Sequence, residues 1–229
     1  MNTLVNVARY HLVDRLTFVG LPWGIMAFSF LVNIVIALLV PTAPHGIYTG
    51  GLATIYVFLL VCGAVIMTRS LPFGLVLGIS RRTYYLGTSL LVVALGVVYG
   101  LGLTLLQLVE RATGGWGVSL HFFRIPWILD GPWYQTWLTS FVLLVLFFLY
   151  GMWYGLVFRR WNLPGLLAFI AAQIVVALGV VIVVSVTHDW PAIAHFFTTV
   201  TALTLTGVLA AIALTLGFGG FTTLRRVTI

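Results

Sequence analysis

Six apolar runs, each long enough to cross a lipid bilayer, constrain the fold of this chain more than any other feature. They cover residues 19–40, 48–67, 84–109, 136–158, 164–187 and 196–218. A helix needs about 20 apolar residues to cross the hydrocarbon core, and helices satisfy their backbone polar groups within one segment. Of the 229 residues, 62% are hydrophobic and only 7% charged, too few charges to cover a soluble globule. The predicted fold class is therefore all-α: a polytopic membrane protein with six transmembrane helices.

The first 18 residues differ from the runs that follow. Leu4, Ala8, Leu12 and Leu16 recur every fourth residue, and polar side chains take most of the opposite side. This pattern predicts an amphipathic helix lying in the membrane surface, with a disordered, solvated start as the alternative. The predicted organisation is an interfacial helix over 1–18 and a six-span transmembrane domain over 19–229.

The arginines predict the orientation of the chain. Alternating the connections between two sides places nine of the 11 arginines on one side, where Asp14 is the only acid. The other side holds Arg111 and Arg124 with Glu110, Asp130 and Asp189. Because positive residues collect in cytoplasmic loops, both termini are predicted to be cytoplasmic. We expect a multi-pass protein of a bacterial plasma membrane.

The absence of lysine limits the chemistry of the chain. All 11 basic residues are arginine, so the chain cannot carry a G-x-x-x-x-G-K-[ST] phosphate loop or a lysine Schiff base. The arginines stand mostly as pairs between apolar runs rather than on one wet face, which argues against nucleic-acid binding. Any ATP chemistry is therefore expected on a separate polypeptide.

The predicted spans offer few polar groups. No Asp, Glu, Arg or His lies well inside a run, and the histidines show no metal-ligand spacing, so we predict no catalytic, metal or cofactor site. Asn33 is a candidate for a substrate path, with interhelical hydrogen bonding as the alternative; Gln107 and Gln173 are weaker candidates. The aromatic-rich outer segment 110–135 is expected to form a short helix on, or dipping into, the outer leaflet.

The connection over about 69–83 is the most informative segment. It is too apolar for a solvated loop, and Pro72 is suited to begin a short helix. Arg81 and Arg82 are expected to anchor the next span to anionic headgroups. A short apolar helix projecting into the cytoplasm suits docking into a groove on a partner. The alternative is an interfacial turn that binds nothing.

This connection has the pattern P-F-G-x-x-x-G-x-S-R-R-x-Y-Y-L-G, and here the chain resembles the membrane subunit of a type-2 ABC exporter. The likeness extends over the interfacial helix, the six spans and the cytoplasmic ends. In that family the segment is the coupling helix, which contacts the ATP-binding subunit. The resemblance implies that contact for Pro72, Phe73, Gly74, Leu77, Gly78, Ser80, Arg81 and Arg82. One difference is that the larger family members have substantial structure between the fifth and sixth spans, where 187–196 is short here.

The resemblance also implies a mechanism. Two permease copies, expected to form a homodimer, would enclose a path above two ATP-binding subunits that hold ATP and Mg. Closure of those subunits would switch access outward for an amphipathic or hydrophobic substrate, such as a drug-like compound, lipid or modified peptide. The chain itself would be no enzyme. The alternatives are an ion-coupled secondary carrier or channel and, less favoured, a membrane scaffold or an enzyme of another kind.

Overall fold

The computed structural model describes residues 16–40 and 46–224, and these form a helical protein. The helices are α1 (Leu21–Leu39), α2 (Ala53–Val65), α3 (Leu71–Val76), α4 (Arg81–Ala112), α5 (Trp133–Thr187), α6 (Trp190–Thr199) and α7 (Ala202–Leu224). Five-residue π-helical turns lie at Leu16–Gly20, Ile66–Ser70 and Gly115–Ser119. Two short parallel strands, β1 (Ile47–Tyr48) and β2 (Leu120–His121), pair near one end of the bundle.

The all-helical class is confirmed. Stretches long and apolar enough to cross a membrane are Leu16–Leu39, Ala53–Val76, Arg81–Ala112, Trp133–Thr187 and Ala202–Leu224. The count among the described residues is five, not six, because α5 contains both the fourth and the fifth predicted runs. The number of crossings stays a prediction. So does the amphipathic helix over 1–18, most of which lies outside the described residues.

The 55 residues of α5 do not form one straight helix. A straight helix of that length would measure about 80 Å, far more than the roughly 30 Å hydrocarbon core. Asn162, with φ of 54°, interrupts it, and the ring of Pro164 would clash with the preceding turn of an uninterrupted helix. The hydroxyl of Tyr150 donates to Gln173 Oε1 at 2.6 Å, so the two halves of α5 double back on each other around Asn162.

The end of the predicted second span is wrong. The helix does not stop near Met67, because α2, the π-helical turn Ile66–Ser70 and α3 run on from Ala53 to Val76. Pro72 nevertheless lies in the first turn of the short helix α3, as predicted. Pro72 has no N–H to donate to the carbonyl of Thr68, four residues earlier. That carbonyl instead accepts a hydrogen bond from Arg159 Nη1 at 3.3 Å. The wide turn and this arginine let the helix pass the proline.

Two more boundaries differ at the other end of the bundle. The predicted short helix within 110–135 is wrong: between Ala112 and Trp133 the chain forms a π-helical turn, the strand β2 and irregular loops. The predicted sixth run is divided, since α6 ends at Thr199 and α7 begins at Ala202 after Val200 adopts an extended conformation. Thr201 Oγ1 then accepts from the backbone N–H of Thr204, as an N-cap does. The 187–196 connection is therefore partly helical.

The core is formed mainly by α2 and the first half of α5, whose backbones approach closely at glycines. A Cβ added to Gly151 would stand 1.9 Å from the carbonyl oxygen of Leu60, and one added to Gly63 would stand 2.2 Å from that of Phe148. Helices in membranes associate through small residues that permit such approach. The other long helices pack around this pair.

Gly151→Ala should push α2 away from α5. We expect the free energy of unfolding to fall by about 1–3 kcal/mol, the usual range for overpacking. Gly179→Ala is the matched control, because a Cβ at this helical position meets nothing within 4 Å. Unfolding of each variant in mixed micelles by added sodium dodecyl sulfate, followed by circular dichroism, measures the difference. Equal stability of the two variants would contradict the close α2–α5 contact.

Candidate functional site

Five arginines lie on helix ends that meet at one end of the bundle, which we term the arginine end: Arg69, Arg81, Arg82, Arg159 and Arg160. Besides the bond from Arg159 to Thr68, the hydroxyl of Tyr84 donates to the carbonyl of Ile66 at 3.4 Å. These two contacts join the π-helical turn Ile66–Ser70 to its neighbours. They hold the end of the first half of α5 and the first turn of α4 against it. The structure thus gathers charges that the sequence had assigned to the cytoplasmic side.

The chain between α3 and α4 forms a tight turn with an apolar surface. Gly78 has φ of +80°, which favours glycine, and the N–H of Ile79 donates to the carbonyl of Gly74 at 3.1 Å. Phe73, Val76 and Leu77 are exposed at 51%, 86% and 60%. We term these three side chains the apolar tip.

The packing under the apolar tip is close. Leu71 and Gly74 are buried, and a Cβ on Gly74 would stand 2.9 Å from Cδ2 of Tyr84. Ser80 begins α4, because its Oγ accepts from the backbone N–H of Thr83 at 3.1 Å. The apolar tip is therefore a fixed surface seated directly on α4.

All eight residues predicted for a coupling contact belong to this helix–turn–helix. Gly74 is buried and Pro72 and Arg81 are half-buried, whereas the exposed members are Phe73, Leu77, Gly78, Ser80 and Arg82. Asn33, the predicted path residue, lies apart on α1, where its Nδ2 donates to the carbonyl of Ser29 at 2.8 Å. Its amide is thus used within its own helix.

An apolar cleft of about 700 Å³ lies between α4, the first half of α5 and α7. It is lined by Arg82, Tyr85, Leu86, Ser89, Val92, Val93, Phe141, Val142, Val145, Leu149, Ala210, Ala213, Leu214, Gly217, Phe218 and Phe221. Arg82 is the one charged side chain of this lining and belongs to the arginine end. Sequence reasoning missed the cleft, because an apolar run does not show which of its faces meets a distant helix.

Polar contacts attach α7 to its neighbours on both sides of the cleft. The hydroxyl of Tyr85 donates to the carbonyl of Gly217 at 2.7 Å, and Trp153 Nε1 donates to that of Leu216 at 2.9 Å. Farther along, the hydroxyls of Thr139 and Thr206 lie 2.8 Å apart. The cleft therefore has walls that are fixed at both ends.

The second weak path candidate, Gln173, connects the two halves of α5. Its Oε1 accepts hydrogen bonds from the hydroxyls of Tyr150 at 2.6 Å and Tyr154 at 2.8 Å. The ring of Tyr154 also packs edge-on against Phe169, with centroids 5.3 Å apart. This amide oxygen is engaged in holding the hairpin together. Gln107, the other candidate, is buried and donates through Nε2 to the carbonyl of Leu129.

Glu110 organises the opposite end of the bundle, a role that sequence reasoning missed. Its carboxylate is 1% exposed and accepts from the backbone N–H groups of Phe122, Phe123 and Arg124 at 2.9–3.0 Å. Trp116 Nε1 donates to it at 3.0 Å. Four donors on one buried carboxylate hold the 115–124 segment over the end of α4. The available signal was an acid that closes an apolar run just before a glycine-rich segment.

A charge cluster lies beside Glu110. Asp130 accepts from Nε and Nη2 of Arg124 at 2.7 and 2.9 Å and from Nη2 of Arg111 at 2.8 Å. The hydrogen bond from Arg124 lowers the pKa of Asp130, and the same bond raises the pKa of Arg124. Arg111, Arg124 and Asp130 are therefore paired with one another.

Within 16–40 and 46–224, no group of three or more His, Cys, Asp or Glu side chains is arranged to hold a metal ion. No protein-family model, curated protein or solved structure matches the chain. The resemblance to exporter subunits therefore depends on the sequence alone, that is, on the pattern over 72–87 and the layout of the apolar runs.

Replacing Glu110 tests its organising role. Glu110→Gln keeps the size of the side chain but loses the charge and one acceptor oxygen, so the backbone N–H groups of residues 122–124 should lose protection. We expect their hydrogen exchange to accelerate by roughly tenfold or more, as hydrogen bonds to a charged group are worth about 1.5–3 kcal/mol. Asp130→Asn is the control, because the ion pairs of Asp130 with Arg111 and Arg124 are partly exposed and contribute less to stability. Unchanged exchange in Glu110→Gln would show that the carboxylate does not hold this segment.

Proposed function

We propose that the chain is the membrane-spanning subunit of an ATP-driven ABC exporter of the type-2 class. The single observation that carries this proposal is the apolar tip, three exposed apolar side chains held rigidly at the arginine end. A solvated turn gains nothing from exposing Phe73, Val76 and Leu77 at 51–86%. A groove on a partner protein would bury them.

The packing of the tip supports a mechanical role. A force applied to Phe73 passes directly to α4, because Gly74 lies against the ring of Tyr84 and Ser80 caps the helix. Tyr84 in turn bonds the carbonyl of Ile66 at the end of α2. A partner that moves the tip therefore moves two long helices together. This is what an ATP-binding subunit needs of a coupling element.

The rest of the proposal follows the same logic. ATP and Mg would be held by two partner subunits, since this chain has no lysine for a phosphate loop. Two copies of the chain, as a homodimer, would form the path in the plasma membrane. Each copy would cross six times with both termini on the cytoplasmic side, and an amphipathic or hydrophobic substrate would move outward by alternating access.

Aspartate at the apolar tip should uncouple the chain from its ATPase. Phe73→Asp and Leu77→Asp each place a charge in the proposed docking groove. Phe73→Asp also removes an aromatic anchor, which costs about 2 kcal/mol or more, roughly 30-fold in affinity. Phe73→Tyr is the matched control and should retain the contact. The measurement is ATP hydrolysis by the complex that copurifies with the tagged chain in mild detergent. The ATP-hydrolysing protein in that complex should contain a phosphate loop.

Two results would overturn the proposal. One is undiminished assembly and ATP hydrolysis in both aspartate variants that remain folded. The other is transport by the purified chain alone in vesicles, driven by an ion gradient without ATP, which would identify an ion-coupled carrier or channel. The gene beside this one supplies a simpler check, because an exporter subunit is expected next to a reading frame with a phosphate loop.

A further inference from the structure

We propose that the cleft between α4, α5 and α7 binds one acyl chain of an anionic membrane lipid, with the lipid headgroup at Arg82. This inference goes beyond the exporter assignment, since it requires neither a partner ATPase nor transport. It rests on three properties of the cleft: its apolar walls, its length and the charge at one end.

The walls offer almost nothing to a polar ligand. The hydroxyl of Tyr85 already donates to the carbonyl of Gly217, and that of Ser89 donates to the carbonyl of Tyr85 at 2.9 Å. The rest of the lining, apart from Arg82, is aliphatic, aromatic or glycine. A buried polar group without a partner costs free energy, so the part of the ligand inside the cleft must be hydrocarbon.

The cleft extends for about the thickness of one lipid leaflet. Its lining on α4 runs from Arg82 to Val93, and on α7 from Phe221 to Ala210. Each of these eleven-residue steps covers about 17 Å of helix, close to half of the roughly 30 Å hydrocarbon core. The volume of about 700 Å³ lies within the range of small-molecule sites. One acyl chain running from the membrane surface to the midplane has this shape.

The charge at one end selects an anionic headgroup. Arg82 is exposed, and none of the acidic residues in 16–40 and 46–224 pairs with it. Glu110 and Asp130 serve the opposite end. The ring of Phe221 lies 5.9 Å from that of Tyr85, one turn along from Arg82, so both walls begin at the same level. A lipid phosphate beside Arg82 would place its acyl chain at the mouth of the cleft.

Photolabelling with lipids measures occupancy directly. The chain is reconstituted in phosphatidylcholine vesicles with trace phosphatidylglycerol or phosphatidylcholine that carries the same diazirine-bearing acyl chain. After illumination, labelled peptides are identified by mass spectrometry. We expect phosphatidylglycerol to label α4 around Val93 and α7 around Ala210. It should do so about fivefold more than phosphatidylcholine, the preference expected from one arginine near the membrane surface.

Two pairs of variants separate the headgroup from the chain. Arg82→Gln should remove the preference, so that both lipids label alike, while Arg160→Gln, exposed at the same end but outside the lining, should retain it. Ala213→Phe fills the cleft and should lower labelling by both lipids. Ala211→Phe, exposed on the same helix, should leave it unchanged. Circular dichroism checks folding, and Ala210→Phe replaces Ala213→Phe if that variant does not fold.

Three outcomes would overturn the proposal. Equal labelling of the wild-type cleft by the two lipids would exclude headgroup selection by Arg82. Undiminished labelling in a folded cleft-filling variant would place the lipid elsewhere. Disulfide formation between copies carrying Leu214→Cys, together with no lipid labelling of the cleft, would show that a second copy of the chain covers it. None of these results depends on ATP hydrolysis, so the lipid site and the exporter assignment fail separately.

Discussion

A backbone polar group that leaves a helix in apolar surroundings must find a partner other than bulk water, and the structure depends on this constraint. Three interruptions of the helices have such a partner. The carbonyl of Thr68, which Pro72 cannot serve, accepts from Arg159; the backbone N–H groups of residues 122–124 donate to Glu110; and Thr201 caps α7. Unpaired groups in an apolar medium cost several kcal/mol each. Charged and hydroxyl side chains are therefore placed where helices end or bend.

The two ends of the bundle use their charges differently. At the end with Glu110, carboxylates and arginines bond one another and the backbone. These bonds hold the 110–135 segment in a fixed structure. At the arginine end the acids of the described chain are missing, and Arg82 and Arg160 are exposed beside the apolar tip. Exposed cations can contact anionic headgroups or an acidic partner. The molecule is therefore asymmetric, with its exposed cations and its apolar tip at the same end.

The sequence predicted the helical class and most of the long apolar stretches, because about 20 consecutive apolar residues have few other uses. It also predicted a break between residues 158 and 164, where Asn162 and Pro164 leave a local signal. The prediction failed where contacts between distant residues determine the local structure. The second run was expected to end near Met67, but the helix continues to Val76, and the distant Arg159 bonds the Thr68 carbonyl that Pro72 cannot serve. The role of Glu110 and the cleft lined by three helices depend on contacts that periodicity does not encode.

The first turns of α4 contact both the helix that carries the apolar tip and the cleft. This connects the two proposals physically. Tyr84 packs on Gly74 and Tyr85 bonds Gly217, so neighbouring residues of α4 contact the helix that carries the tip and the wall formed by α7. On the side of α4, a displacement of the tip would be absorbed at Gly78 or passed to α4. The capped start of α4 resists the first, since Ser80 and Thr83 are bonded to each other. Rotation of α4 would change the distance between Tyr85 and Gly217, and with it the width of the cleft at Arg82. A partner that pushes on the tip would thereby act on whatever occupies the cleft.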